Sequence, residues 1–297
     1  MRQPMLRRWI EECKLALRYR ALFPDSVCLP NSQSHIFVNR RDSRGRSVLL
    51  CGAQGQPNLK GMWHRAITEI APDIVLDIGA NYGEFVFGER YPMAKRVISI
   101  EANPALSPFL QKSHQKHPDR QKITMLTALA AEKSDQELDF FVDQGSSGRS
   151  TAVKRSDTES IATRIRTVAI DDLLSDVTLQ EMKVVFKIDV EGFEPVVFSG
   201  MRTLINRSKF LLGILEFNPN LIRLSGVDPE TFLNELHSKL QIFALPHHHP
   251  PCKLMEGRLA EISRIVGTEN FEMDLLVTTR TVAGSADQNF VDQVIGR

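Results

Sequence analysis

The chain reads as an α/β protein, a parallel sheet covered by helices on both faces, and three observations predict it. From about residue 60 onward, short β-rich runs alternate with stretches of helical periodicity, the sequence form of successive βαβ units. Most of those runs are apolar throughout rather than alternating, as strands buried on both faces must be. One of them passes directly into a turn with two glycines, Val75-Leu76-Asp77-Ile78-Gly79-Ala80-Asn81-Tyr82-Gly83, the place where open α/β sheets build a ligand crevice.

Taken in order, residues 5–23 carry Leu6, Trp9, Ile10, Cys13, Leu17 and Leu22 near helical spacing, with Arg7, Arg8, Lys14, Arg18 and Arg20 between them. This is a basic amphipathic helix. Its preferred role is to pack its apolar stripe on the main domain; a peripheral membrane or partner contact is the other reading. Residues 24–58 set Pro, Asn, Ser and Gly around two strand-like runs, 35–38 and 47–51, as a small hairpin or lead-in. Strands follow at 74–78, 97–100, 123–129, 138–142, 184–188, 210–215 and 271–278, with helices at about 61–71, 84–90, 104–117, 195–205 and 229–240. From residue 282 the chain is small and polar enough to fray. The division is therefore 1–60, a basic helix and lead-in; 61–281, the main domain; and 282–297, a frayed tail.

Composition limits the function classes. Of 297 residues, 42% are hydrophobic and 25% charged, proportions that exclude a disordered or fibrous chain. A net charge of +1 gives no global attraction to nucleic acid, and none is expected as a partner. Residues 1–50 nevertheless hold ten Lys or Arg against four Asp or Glu, so a basic preface precedes an acidic body. Cysteines at 13, 28, 51 and 252 have neither zinc-ribbon spacing nor the density of a disulfide framework. With no apolar run long enough to span a membrane and no secretory h-region, a cytoplasmic location is expected, membrane-peripheral if the basic helix makes such a contact.

The glycine turn supplies backbone that a ligand can approach closely. The next strand run, Val97-Ile98-Ser99-Ile100, ends at Glu101, 24 residues after Asp77, about where an acidic side chain meets ribose hydroxyls in a doubly wound sheet. Against a dinucleotide stands the pattern itself: Asp77-x-Gly79-x-x-x-Gly83 is not the G-x-G-x-x-G that lays a pyrophosphate on a helix N-terminus. An acid before the glycines suits a ligand with a cationic amino-acid end. S-adenosylmethionine fits that description better than NAD.

Here the residues resemble the FkbM-type family of S-adenosylmethionine-dependent methyltransferases, over about residues 74–218. Three blocks carry the resemblance: the glycine turn, Ser99-Ile100-Glu101-Ala102-Asn103-Pro104, and Phe186-Lys187-Ile188-Asp189-Val190-Glu191-Gly192-Phe193-Glu194 with Ser199-Gly200-Met201 after it. The resemblance implies a Rossmann-like class I methyltransferase sheet, mostly parallel with a reversed C-terminal strand, and O-methylation of a sugar, glycan or polyketide-like hydroxyl. It also implies that Asp77, Gly79, Asn81 and Gly83 line the methionine and ribose end of S-adenosylmethionine. Glu101 would take the ribose hydroxyls with Asn103 beside it, and Ala128 and Leu129 would flank the adenine.

Asp189 and Glu191 follow the run 184–188, at the carboxyl edge of a parallel strand, and both would face the crevice if the strand continued through them. An alcohol acceptor must lose its proton as it attacks. Asp189 is the candidate base and Glu191 the residue that orients acceptor hydroxyls, with Glu216 and Asn218 arriving at the same edge. No metal is expected, although such acids could hold Mg²⁺. The alternative base is one of His247, His248 and His249, in an extended loop before Pro250 and Pro251. The loop Gly145-Ser146-Ser147-Gly148-Arg149-Ser150-Thr151 is a candidate mobile lid. Acceptor choice is expected in 24–58 and 245–261. Two readings compete: a non-catalytic nucleoside-binding module, and a NAD-dependent oxidoreductase or epimerase. The second lacks both the dinucleotide fingerprint and a Tyr-x-x-x-Lys pair. Oligomeric state is not legible.

Overall fold

The computed structural model describes residues 2–156, 159–246, 250–280 and 285–295, with side chains from residue 9 onward. The lead-in runs through α1 (Arg2–Tyr19), a two-stranded antiparallel ribbon of β1 (Ser26–Cys28) and β2 (His35–Phe37), and α2 (Ser43–Cys51). The run 47–51, expected as a strand, is the second half of α2. Asp42 caps that helix by accepting from Arg44 N and Gly45 N, and Gly52 closes it in the left-handed region at φ 63°. A four- or five-residue apolar run does not distinguish strand from helix by itself; here the caps decide.

Next come α3 (Pro57–Ile70), β3 (Ile74–Ile78), β4 (Arg96–Glu101), α4 (Ser107–Lys116), β5 (Ile123–Thr127), β6 (Leu129–Ala130), β7 (Glu137–Asp143), β8 (Ser160–Val168) and α5 (Ile170–Leu173). The chain then forms β9 (Lys183–Ile188), α6 (Glu194–Ser199), α7 (Arg202–Arg207), β10 (Phe210–Phe217), α8 (Pro219–Leu224) and α9 (Pro229–Lys239). It ends with β11 (Gln241–Leu245), β12 (Cys252–Lys253), α10 (Leu259–Val266), β13 (Met273–Thr278) and α11 (Ala286–Ile295).

Eight strands form the main sheet in the order β12-β11-β13-β10-β9-β3-β4-β5. From β10 to β5 neighbours run parallel, while β13 is antiparallel to both β10 and β11. The chain steps outward from β3 through β4 to β5 and then returns to β9 on the other side of β3. The carboxyl ends of β3 and β9 therefore flank the topological switch point, where the two connections diverge and leave a crevice. The mostly parallel sheet with a reversed last strand is the Rossmann-like class I methyltransferase fold.

Alternation along each strand sends Val75, Val97 and Val185 to one face and Leu76, Ile98 and Phe186 to the other. The first face packs on α3, α4 and α11 together with Val27, Ile36, Val48 and Leu49 of the lead-in; the second packs on α5, α6, α7 and α9. The boundary expected at residue 60 falls inside α3, and the lead-in shares one core with the sheet. The segment expected to fray contains α11, whose Val291, Val294 and Ile295 are buried; Arg65 of α3 holds it by donating to Val294 O at 2.8 and 3.0 Å.

Two expected helices differ. Residues 84–90 make successive turns, because Val86 N donates to the buried Asp77 Oδ2 (3.1 Å) rather than to a helical carbonyl. The stretch 195–205 is split into α6 and α7 at Gly200, where Asp171 accepts from Thr203 N and Leu204 N at 2.7 and 2.9 Å and restarts the helix. The hairpin β7–β8 and the parallel pair β6–β8 form a small separate sheet beyond β5, with Phe140, Ile165 and Leu129 packed around Ala102.

Candidate active site

A cavity of about 440 Å³ opens at the carboxyl ends of β3 and β9, within the size range of small-molecule sites. Its floor is the glycine turn. Gly79 and Ala80 donate through their backbone to Ile100 O at 2.9 and 3.1 Å, which folds the turn back over β4. Gly79 sits at φ 79°, and a Cβ there would stand 1.8 Å from the Asp189 carbonyl oxygen. Only glycine lets β3 and β9 close together at this point.

Glu101 locks the turn. Its Oε2 accepts from Asn81 N at 2.7 Å and its Oε1 from Asn103 N at 2.8 Å. Burial pushes this carboxyl up to about 7, while the N–H groups of Asn103 and Asn81 pull the other way. Each carboxylate oxygen has a second lone pair, so the group can still accept two hydroxyls. Next to it, Ala128, Leu129 and Phe140 supply an apolar slot.

Across the cavity lie the acids. β9 ends at Ile188, and Asp189 N donates to Ile78 O (3.1 Å). Glu191 then takes φ 55°, so the shared strand face expected for Asp189 and Glu191 does not exist. A turn brings them together instead: carboxylate oxygens of Asp189, Glu191 and Glu216 lie within 4.8 Å of one another. That spacing has the geometry of a cation site, but a fixed cation already stands on one side. Lys187, buried at the last position but one of β9, donates to Asp189 Oδ2 at 2.7 Å and lies 4.9 Å from the Phe85 ring centre. Burial pulls Lys187 down, yet Asp189 and Asp77 leave it above the usual lysine value.

The surrounding acids are shifted toward their protonated forms. Burial, followed by the charges of Asp189, Glu272 and Glu194, raises Glu191 to about 8 against the opposing Arg155 at 3.6 Å. Burial also raises Asp274 to about 7, with Asp189 adding and Lys187 opposing, and puts Glu216 well above the usual carboxylate range. Glu194 is fully buried and caps its own turn, Oε1 accepting from Val190 N and Gly192 N at 3.1 Å each.

Of the residues singled out from sequence, Gly79, Asn81, Glu101, Ala128, Leu129, Asp189 and Glu191 line this one cavity. Asp77, Gly83 and Asn103 stand behind its wall. Asp77 is buried, accepts from Val86 N and is raised by burial to about 6; Asn103 Oδ1 caps the short turn after β4 through Ala105 N. His247, His248 and His249 lie outside the described residues.

The lead-in, expected to bear on acceptor choice, reaches the cavity through residues that sequence reasoning did not single out. Arg44 and Ser47 of α2 line the cavity, Arg44 paired with Glu84. Asp42 accepts from Tyr82 Oη (2.7 Å), Ser147 N (2.9 Å) and Ser147 Oγ (2.6 Å), while Asn81 Nδ2 donates to Ser147 Oγ (3.2 Å). The loop expected as a mobile lid is thus tied to both the glycine turn and the lead-in. Lys187 did carry a signal: a charge between the apolar Phe186 and Ile188 of a buried strand, where burial demands a partner. A second cavity of about 390 Å³ adjoins the first at Gln56, which lines both; Pro57, Leu245, Pro250 and Asp274 are among its walls.

The family model described as the methyltransferase FkbM domain matches residues 77–240. The chain belongs to the FkbM methyltransferase family. The match takes in the glycine turn from Asp77, Glu101, Asp189, Glu191, Glu216 and α9, while Arg44, Ser47 and Glu272 of the cavity wall lie outside it. Among solved structures it is similar to methyltransferase FkbM from Methylobacillus flagellatus KT, at 16% identity and a TM-score of 0.43, with 80% of this chain and 56% of that one covered. This chain therefore spans little more than half the length of that relative. It is also similar to the O-methyltransferase from Bacillus cereus in complex with SAH, at 10% identity and a TM-score of 0.42, covering 76% and 82% of the two chains. No curated protein matches. Among the described residues, no helix is long and apolar enough to cross a membrane.

Proposed function

We propose that this methyltransferase uses S-adenosylmethionine to methylate a hydroxyl of a sugar, glycan or polyketide-like acceptor. The observation that carries the reading is the single cavity lined by both Glu101 and Asp189. Glu101, with lone pairs to spare, suits a ribose diol, and Ala128, Leu129 and Phe140 suit a flat base. When bound, the cofactor supplies an electrophilic methyl group on a sulfonium.

The chain's own residues do the rest. Lys187 fixes Asp189 Oδ2, leaving Oδ1 as the acceptor for the proton that the attacking hydroxyl gives up. Glu191 and Glu216, protonated by burial, can both donate to and accept from neighbouring hydroxyls, which fits a polyol better than an anion. Alignment of the two reactants in one water-poor cavity supplies about 7–11 kcal/mol, and the base about 10²–10⁴-fold. The adjoining cavity, with Gln56, Pro57, Asn58, Leu245, Pro246, Pro250 and Pro251 among its walls, is where we place the acceptor.

Calorimetric titration with S-adenosylmethionine, S-adenosylhomocysteine and NAD tests this. Binding of the first two with NAD silent supports the reading and justifies a mass-spectrometric screen of glycans and polyketides for methyl gain. Binding of NAD alone, or of none, overturns it in favour of the dinucleotide enzyme or the non-catalytic module.

A further inference from the structure

α1 turns its two faces in opposite directions. Inward, Leu15 is fully buried, Tyr19 Oη donates to Leu49 O (2.8 Å), and Arg18 donates to Leu50 O (2.7 Å). The helix's two acids point the same way, Glu11 paired with Arg46 and Glu12 with Arg46 and Arg40. Outward stand Trp9 and Leu17, 65% and 81% exposed, with Ile10 beside them; the turn after the helix adds Leu22 and Phe23, 82% and 66% exposed.

Five of the nine large apolar side chains exposed on the described surface belong to residues 9–23, while the other four come from separate elements and loops. This concentration is what distinguishes a patch from ordinary scatter. The turn holds it in place: Arg20 and Phe23 take φ 48° and 59°, a region side chains rarely adopt, and the Arg40 guanidinium stacks 4.8 Å above the Phe23 ring. Lys14 and Arg20 are exposed along the patch, and with both acids of α1 turned inward the charge beside it is positive.

We propose that this arc docks on an anionic lipid surface, α1 lying in the interface with Trp9, Leu17, Leu22 and Phe23 among the headgroups and Lys14 and Arg20 against lipid phosphates. A single convex helix edged with cations matches a flat anionic surface in shape and charge. The inference is independent of the methyl-transfer reading, since none of these side chains lines the cavity.

Flotation of the full chain with vesicles tests it, using phosphatidylcholine alone and phosphatidylcholine mixed with phosphatidylglycerol. The protein should float with the anionic vesicles only, and less so in high salt, each cation contributing about five-fold in affinity. The double variant Leu17→Glu, Leu22→Glu should lose at least about tenfold in vesicle binding with an unchanged melting temperature, because both side chains stand clear of the core. Wild-type protein that stays down with anionic vesicles, or a double variant that floats as well as wild type, overturns the proposal. So does light scattering that shows a dimer which the double variant makes monomeric, since the patch would then be a contact between copies.

Discussion

Titrating nucleoside binding against pH should isolate Glu101. In the unliganded protein burial holds this carboxyl at about 7, and ribose hydroxyls are best accepted by its ionised form. S-adenosylhomocysteine is the ligand of choice because it carries no sulfonium charge for the other acids to sense. If only ionised Glu101 binds, the apparent Kd at about pH 6 should be roughly tenfold weaker than at about pH 8, and binding near pH 7 should release about half a proton. Calorimetry in two buffers of different ionisation enthalpy reads both quantities.

Glu101→Gln separates this group from its neighbours. The amide keeps one accepting oxygen, so either Asn81 N or Asn103 N faces an NH₂ in place of an acceptor, and the ribose loses its charged partner. Two hydrogen bonds to a charged group at about 1.5 kcal/mol or more each come to about 3 kcal/mol, or about 100-fold in Kd. The pH dependence should flatten as well. A wild-type Kd that is level across this range, or a Gln variant that keeps the wild-type slope, would refute the assignment of Glu101 to the ribose.

Asp189→Asn should leave cofactor binding in place and lower turnover by about 10²–10⁴ once an acceptor is in hand, read as kcat at saturating cofactor. Asp42→Ala removes the acceptor shared by Tyr82 and Ser147; hydrogen exchange at residues 145–151 should rise and S-adenosylhomocysteine affinity should fall about tenfold. Gly79→Ala forces a Cβ onto the Asp189 carbonyl at a positive φ and should cost at least about 2 kcal/mol in urea unfolding. Unliganded stability should fall as pH rises from about 5 to 8: Glu101 and Glu194, raised to about 7 when folded, bind more protons in the native state across that range, and that stability is lost as pH passes through the folded values. Chemical denaturation at several pH values measures it.

What was legible in the sequence was local. Gly79 and Glu101 announce themselves because a turn that brings two strands within van der Waals reach needs glycine, and because the acid follows at a spacing set by one βαβ unit. Asp189 and Glu191 were placed on the right edge for a reason that fails in detail: β9 stops at Ile188, and the left-handed Glu191 rather than strand alternation turns both acids inward. Asp42, Arg44 and Ser47 could not be read, because their roles exist only once α2 folds over the crevice. The same holds for 47–51 and 84–90, where a cap at Asp42 and a buried acceptor at Asp77 overrule what the apolar pattern suggests.

The acid-rich end of the cavity is costly to the unliganded fold, and that cost bears on what the site is for. One buried lysine stands among Asp77, Asp189 and Asp274, while burial and neighbouring charges raise Glu191 and Glu216 toward the protonated form. A core designed for stability alone would replace such a cluster with apolar side chains. Its protonated members present donors and acceptors together on a small surface, a pattern that matches several hydroxyls better than one charge. Elsewhere the same cavity has the complementary character, an apolar slot beside Glu101. On the proposed reading, the apolar slot takes the cofactor's base and the acid-rich part takes the acceptor hydroxyls, the arrangement a transfer between them requires.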